Sequence, residues 1–328
     1  MSDFIKAEKV VSTALGLLLR ELTLPGLVWR DAGGDFRGVK NDTISIRLPA
    51  YAPARTRDLR NTDALTADTL HERKVDVTLD TDVYKRVNIT DEELTLDIAD
   101  FGLQVLNPVL IGIAQQLEQE LADVITGAAY ENTIAYVSST DDPYSDVAVK
   151  ARGYLNNAHV PLAGRAIVCG TDLEAEFLNS DRFVRADQSG TTQTLREALI
   201  GRVAGFDVFT SPVLPSDEAY AFHRTAYVMS QRAPIVPAGA PWGASRSFQG
   251  FAMRVARVFD PDHVRDQFVA NSYVGANVVK DHGRFTDDPD AGGKFIPVTD
   301  PANADTGHTD DWDNDAQRLV RAVKITVS

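Results

Sequence analysis

The sequence predicts an α+β fold, and three observations carry that reading. One long helical stretch, 108–130, keeps an apolar stripe over about five turns. Five stretches, 43–48, 74–80, 84–89, 251–259 and 266–274, have strand character, several with clear alternation of apolar and polar residues. Between these regions, across 140–235, short helices and strands follow one another without a phosphate-binding loop. No internal repeat of about 20–50 residues is visible, which sets aside a solenoid or propeller.

At 328 residues the chain is long enough to bury a substantial core without disulfides or metals, and its length suggests roughly two domains. It is 44% hydrophobic and 24% charged, close to the globular average, which argues against wholesale disorder. The 47 acidic and 33 basic side chains give a net charge of −14, unsuited to gripping nucleic acid over the whole surface. A single cysteine, Cys169, excludes an internal disulfide framework and fits a reducing compartment.

Taken in order, the N-terminus is not a secretion signal. Asp3 and Glu8 precede its apolar run and no small-residue cleavage site follows. Val11, Ala14, Leu15, Leu18 and Leu22 fall at helical spacing, predicting an amphipathic helix that ends before Pro25-Gly26. Its polar face mixes Glu8, Lys9, Arg20 and Glu21, so docking on protein is favoured over an interfacial membrane helix. No stretch approaches the roughly 20 apolar residues that cross a bilayer.

The strand 43–48 places Ile44, Ile46 and Leu48 on one face. Residues 49–70 carry prolines and arginines without a period, and strand character resumes at 74–80 and 84–89. Two strands flanking a long polar excursion read as an extended hairpin arm, which has little to bury within one subunit. A partner subunit would supply the missing surface. Thr90 and Glu93 have capping-box spacing. Asn107-Pro108 then restarts the helix, because proline in the first turn sacrifices no intrahelical bond. Leu110, Ala114, Leu117, Leu121, Val124 and Ala128 form the stripe, with Glu118, Glu120 and Asp123 off it.

Further on, 146–156 is predicted helical and Arg165–Cys169 a buried strand. Gly170 and the box Thr171-Asp172-Leu173-Glu174 start another helix. Leu195–Leu199 reads as a short helix and Phe206–Thr210 as a strand stopped by Ser211-Pro212. Residues 251–259 and 266–274 form a hairpin around Asp260-Pro261-Asp262-His263, and Leu319, Val320, Val323 and Ile325 suggest a final strand.

The search for chemistry is negative: no catalytic, cofactor-binding or metal-ligating residue is assigned. His71-Glu72 opens like a zinc motif, but Val75 stands where the second histidine belongs, and the six histidines are scattered. Cys169 ends an apolar strand, where cysteine behaves as a small hydrophobe more often than as a nucleophile. Asp311 to Asp315 resembles the start of a calcium loop. Ala316 and Ala322 occupy the positions that need Gly and Glu, so a solvated acidic loop is the better reading. Gly239 to Gly243 is a tight apolar loop and not a phosphate cradle. A soluble α+β enzyme with an unrecognised carboxylate site stays open as an alternative, since acids this numerous always offer pairs.

The order of elements resembles the major capsid proteins of tailed bacteriophages, particularly the coat-like branch common in phages of actinobacteria. The resemblance is carried by the strand pair around 43–90, Asn107-Pro108, and Tyr154 to Pro161 running into Arg165-Ala166-Ile167-Val168. It continues through Gly201 to Ser211, Gly250 to Val255 and Tyr273 to Val279, spanning about 240 residues in all.

This likeness implies the fold that tailed phages share with herpesviruses and encapsulins. Its parts are an N-terminal arm at 1–34 and an extended loop with flanking strands at 35–90. A peripheral domain with the spine helix follows at 91–139, then an axial domain at 140–235. A hairpin at 236–284 returns through both domains, and 285–328 holds an acidic excursion and the terminal strand. The likeness also implies self-assembly through hexamers and pentamers into an icosahedral virion shell around double-stranded DNA, contacted non-specifically. Assembly would take place in the bacterial host cytoplasm, with a portal, no membrane and no cofactor. An encapsulin-type compartment shell is the alternative within the fold.

Because the first arm strand comes by residue 43, no fused scaffolding segment fits and a separate scaffolding protein is expected. Some relatives cross-link through a lysine in the extended loop. Here Lys74 and Lys85 lie at the base of the arm, and Arg55, Arg57 and Arg60 stand at its tip, so cross-linking is not expected. Those arginines read equally as a solvated loop or as salt bridges to acids on the next subunit. The segment 281–315 holds ten Asp against Arg284 and Lys294, a net −8 of the total −14, and is expected to face outward. The first forty residues are near neutral, at +1.

Overall fold

A computed structural model describes residues 11–12, 14, 22–30, 43–48, 58–60, 64, 73–90, 105–180, 201–248, 250–260, 263, 265–285, 295–297 and 317–327. Its helices are α1 (Leu24–Leu27), α2 (Asn107–Thr126), α3 (Lys150–Asn157, entered through a π turn at Pro143–Val149) and α4 (Thr171–Asn179). The first strands are β1 (Trp29–Arg30), β2 (Thr43–Leu48), β3 (Arg73–Thr78), β4 (Thr81–Thr90), β5 (Tyr130–Tyr136) and β6 (Arg165–Cys169). Next come β7 (Arg202–Val203), β8 (Phe206–Thr210), β9 (Glu218–His223), β10 (Tyr227–Arg232) and β11 (Trp242–Phe248). The last are β12 (Phe251–Asp260), β13 (Arg265–Val278), β14 (Asp281–Phe285), β15 (Phe295–Pro297) and β16 (Gln317–Val327). The described residues fall into two compact units, drawn from 1–44, 76–127 and 227–277, and from 45–75, 128–226 and 278–328.

The first unit is built on a six-stranded sheet in the order β1-β10-β13-β12-β11, with β4 also pairing antiparallel to β13. The β12–β13 hairpin forms as the alternation predicts, with Asp260 opposite Arg265 at its turn. Helix α2 packs along β4 and buries Val109, Leu110, Ile113, Leu117, Leu121 and Ile125. Proline stands in its first turn as expected. The helix ends at Thr126 and not near 130, because Tyr130 already opens β5.

The stripe also differs from the expectation. Val124 is only half-buried, and Ile113, Ala122 and Ile125 take the inward places. Glu118, expected off the stripe, is buried. Its Oε1 accepts the backbone N–H groups of Thr23 (2.5 Å) and Leu24 (3.1 Å) at the start of α1. Pro25-Gly26 lies inside that one-turn helix, following a described helical stretch at Val11, Ser12 and Ala14.

The second unit is a mixed eight-stranded sheet, β15-β14-β16-β9-β6-β8-β7, with β5 also pairing β16. The terminal strand β16 is therefore central, parallel to β5 on one side and antiparallel to β9 on the other. A short strand at the chain end was expected; its central place was not. β6 is buried along its whole length, as its apolar run predicts. The core joins Ile134, Tyr136, Val147, Leu155, Phe177 and Phe206.

Helix α4 starts at Thr171 but is not capped by it. Gly170 is the N-cap, without a side-chain bond. Carbonyls of the 215–218 segment do the capping: Gly170 N–H donates to Glu218 O (2.9 Å) and Asp172 N–H to Ser216 O (3.1 Å). A Cβ at Gly170 would lie 2.2 Å from Pro215 O, so only glycine fits.

Strands β2 and β3 pair as a two-stranded ribbon, the expected hairpin arm, with Ile46, Val75 and Val77 buried. At its base the hydroxyls of Thr43 and Thr78 are 2.8 Å apart. Sequence readings at Leu15 and Leu18, Arg55 and Arg57, His71-Glu72, the box at 91–93, Leu195–Leu199 and Asp311–Asp315 lie outside the described residues.

Candidate functional site

Beside the β3–β4 link, the first unit's sheet forms an open groove of about 490 Å³. The β3–β4 link supplies Leu79, Asp80 and Asp82, and the segment after β10 supplies Arg232, Pro234 and Ile235. β12 and β13 add Arg254 and Tyr273. Strand register sets this arrangement. Arg254 lies opposite Asn271, Asn271 opposite Tyr84, and Tyr273 opposite Asp82, so all five share one sheet face.

A polar relay fixes the groove. Arg254 donates from Nη1 to Ile235 O (2.8 Å) and from Nε to Asn271 Oδ1 (2.9 Å). Asn271 Nδ2 donates in turn to Asp82 Oδ1 (3.0 Å). The relay pins the 234–235 segment to the sheet and leaves Ile235 85% exposed, beside Tyr84 at 66% and Tyr273 at 40%. Burying an aliphatic or aromatic side chain of this size is worth about 1.5–3 kcal/mol, which marks the patch as suited to a partner.

Between β2 and β3, the described residues 58–60 are similarly exposed. Asp58 Oδ1 accepts the backbone N–H of Arg60 (3.3 Å), a local turn that presents Leu59 at 96% exposure. Lys74 and Lys85 are both exposed at the ribbon's base.

The model of the family described as Phage capsid protein matches residues 74–272. That stretch runs from the ribbon through α2 and the core of the second unit to β13 and is more than half of the chain. The chain belongs to the phage capsid protein family. It is a major capsid protein, the structural unit of a phage shell.

Solved structures agree with this capsid protein in fold. A chain of Mycobacterium phage Che8 superposes with a TM-score of 0.57 at 17% identity, over 93% of this chain and 90% of that one. The capsid of cyanophage P-SCSP1u gives 0.59 at 11% identity, over 100% and 90%. The virus-like particle of Pyrococcus furiosus gives 0.51 at 11%, over 83% and 94%. No curated protein sequence matches the chain.

Several of the capsid protein's titratable groups are held by burial or by structural partners. Cys169 is fully buried and burial pushes its thiol up to about 11, with Sγ donating to Phe209 O (3.3 Å), as suits a small hydrophobe. Tyr136 rises to about 12 through burial and the neighbouring Glu176. Asp146 lies below its usual range because Lys150 bonds it. Burial raises Glu218, but Lys324 and Tyr220 outweigh this and hold it below the usual range. Among the described residues no three acids, histidines or cysteines gather as a metal site. No helix of the described residues is long and apolar enough to cross a membrane.

Sequence reasoning found the ribbon but missed the groove. Its walls come from positions 79–82, 232–235, 254 and 273, and only the unpredicted β10 and the pairing of β4 with β13 bring them together. The one available signal was the apolar pair Ile235-Val236 set between Pro234 and Pro237.

Proposed function

We propose that this capsid protein assembles through hexamers and pentamers into an icosahedral shell that encloses the double-stranded DNA of a tailed phage. The observation that carries the reading is family membership combined with a ribbon tip and a groove that one subunit leaves uncovered. Such surfaces become useful when neighbouring copies cover them. Contacts between two different patches of the same chain run head to tail and close into rings.

In this reading residues 1–34 act as an arm, 35–90 as an extended loop, 91–139 as a peripheral domain and 140–235 as an axial domain. A separate scaffolding protein and a portal take part in assembly in the host cytoplasm. The shell touches its DNA without sequence preference and catalyses no reaction. The acidic segment 281–315 faces outward, because a net −8 on the inner wall would repel packaged DNA within a Debye length of about 8 Å.

Expression of the full chain with the scaffolding protein of the same phage tests this. Negative-stain microscopy should show closed shells, and small soluble oligomers alone would overturn the proposal. A shell reconstruction with 281–315 on the inner wall would refute the orientation. Shells formed around a cargo enzyme without DNA would favour the encapsulin-type reading.

A further inference from the structure

We infer that the second unit holds a tetrahedral oxyanion of the phosphate class between Arg152 of α3 and Arg165 at the head of β6. The site uses no residue of the ribbon or the groove, and the inference does not depend on shell assembly.

Arg165 opens an otherwise apolar strand and is only 3% exposed. Its Nε donates to Pro161 O (2.9 Å) and its Nη2 to Val160 O (2.6 Å), which ties the turn before β6 to the strand. Nη1 is buried and meets no acceptor. Carbonyls satisfy N–H groups but leave the positive charge uncompensated, and no carboxylate pairs with Arg165 among the described residues. Arginine cannot shed its proton to escape such a position, as a buried lysine or histidine can. A buried charge of this kind calls for an opposite charge beside it.

The surroundings add to that demand. Ala166 pairs with Asp207, which sets Arg165 beside Phe206, and on its other side Arg165 lies opposite His223. Arg321 comes next in the row, joined to His223 through the hydroxyl of Thr225, and already has its own acid in Asp281. Asp207 of β8 is exposed and pairs with Arg202. Arg152 approaches from α3, where Nη1 donates to Ala204 O (2.7 Å), two residues before Phe206. A Cβ at Gly205 would lie 2.8 Å from that nitrogen, so glycine leaves room for the guanidinium. Arg152 likewise has no carboxylate among the described residues. Burial, and then the charge of Arg152, lower the pKa of Arg165, as befits two cations with nothing to balance them.

The donors select the ligand. Guanidinium groups recognise oxyanions through several directed N–H bonds, which a spherical chloride uses poorly. Here one guanidinium comes from the sheet and the other from the helix packed on it. Arg152 is half-buried and gives the site its solvent side. Inorganic phosphate and a backbone phosphate of nucleic acid share this chemistry, and the two sources are separable by experiment.

Melting of the purified full-length chain tests the site. At pH 7.5, sodium phosphate at about ten times its dissociation constant should raise the melting temperature by about 2–4 °C over sodium chloride of equal ionic strength. Arg152→Gln should remove that gain, whereas Arg202→Gln, at an exposed neighbour, should keep it. The general stabilisation that phosphate gives any protein is common to all three chains and cancels in the comparison. Equilibrium dialysis against radiolabelled phosphate gives a reading without unfolding: about one ion per wild-type chain, and at least about tenfold weaker retention by Arg152→Gln. Arg152→Lys keeps the charge and should recover part of that retention.

A short DNA duplex in place of phosphate separates the sources. A gain that depends on Arg152 with the duplex and not with phosphate would assign the anion to nucleic acid. Equal melting and equal retention for wild type and Arg152→Gln in both arms would overturn the inference and leave the shell reading intact.

Discussion

The two sheets of the capsid protein handle their surfaces in opposite ways. In the second unit β6 is buried throughout and β9 at five of its six positions. Every cation that β16 turns inward there meets an acid of another strand. Arg318 pairs with Glu131, Arg321 with Asp281 through two bonds of 2.5 and 2.7 Å, and Lys324 with Glu218 at 2.5 Å. In the first unit β12 is buried over its first residues, yet Val258, Phe259, Tyr273 and Tyr84 are left exposed. Among the described residues, Arg232 and Asp80 meet no opposite charge. Apart from the inferred oxyanion, one sheet is finished within the chain, and in the proposed shell neighbouring copies complete the other. Variants of the first kind of surface should therefore fail in folding, and those of the second in assembly.

The largest expected effect breaks the closed sheet. Val323 is fully buried between β5 and β9, in the middle of β16. Val323→Asp puts a carboxylate into the apolar core around Ile134, Tyr136 and Ile325, at a cost above about 4 kcal/mol. Loss of soluble protein, or of the cooperative thermal transition, is the expected result. A soluble variant with a wild-type melting curve would show that the terminal strand is dispensable.

A matched pair of glycine variants sharpens the contrast. A Cβ at Gly170 would stand 2.2 Å from Pro215 O, and one at Gly275 would stand 2.0 Å from Thr78 O. Each alanine substitution forces backbone apart, at about 2–3 kcal/mol. Hydrogen exchange should separate them: Gly170→Ala should loosen 215–218 with β6, and Gly275→Ala the ribbon base at 76–82. Identical exchange patterns in the two variants would argue that the units do not respond separately.

The same contrast explains what was legible in the sequence. Arg165–Cys169 could be bounded to the residue because a fully buried strand is a nearly continuous apolar run, here ended by Gly170, and Phe206–Thr210 because Gly205 and Ser211-Pro212 bracket it. The β12–β13 hairpin was legible from alternation and its Asp-Pro turn. By contrast, β9 and β10 were missed, although both are strongly buried. The run from Glu218 to Arg232 mixes Tyr, Ala, His, Ser and Gln, which mutes its hydrophobic pattern. Its strand identity comes from pairing with β16 and β13, which begin more than 30 residues further along the chain. The groove was hidden for the same reason, since strand register and not local sequence brings its walls together. The missed burial of Glu118 is the helical counterpart: spacing sets a carboxylate on a face but does not reveal the two N–H groups that meet it there.

Glu118 also provides a test of how the first unit holds its N-terminal segment. Glu118→Ala leaves the N–H groups of Thr23 and Leu24 without their acceptor, at about 1–2 kcal/mol. Limited proteolysis near 20–30 should accelerate while the second unit keeps its wild-type protection. Unchanged cleavage would show that α1 is held by the packing of Leu24 and Val28 alone.

The smallest effect is a pH dependence in the closed sheet. His223 is buried at the end of β9, and burial holds its pKa below the ordinary histidine value, with Arg321, Arg165 and Arg224 adding to the shift. Its partners fix the neutral tautomer. Nε2–H donates to Ala163 O (2.9 Å), and Nδ1 accepts from the hydroxyl of Thr225 (2.8 Å). That hydroxyl accepts in turn from Arg321 Nη1 (2.8 Å). A proton on Nδ1 would oppose the hydroxyl's own hydrogen and set a cation beside Arg321, whose charge Asp281 already balances. The unfolded chain binds this proton more readily than the folded one. The neutral ring's contribution is therefore intact above about pH 6.5 and is lost as pH falls through the lowered folded-state value. His223→Gln can reproduce both hydrogen bonds without titrating. Melting temperatures measured between pH 7.5 and 5 should show wild type losing ground to the variant only on the acid side. A constant difference across that range would place the acid sensitivity of the unit elsewhere than at His223.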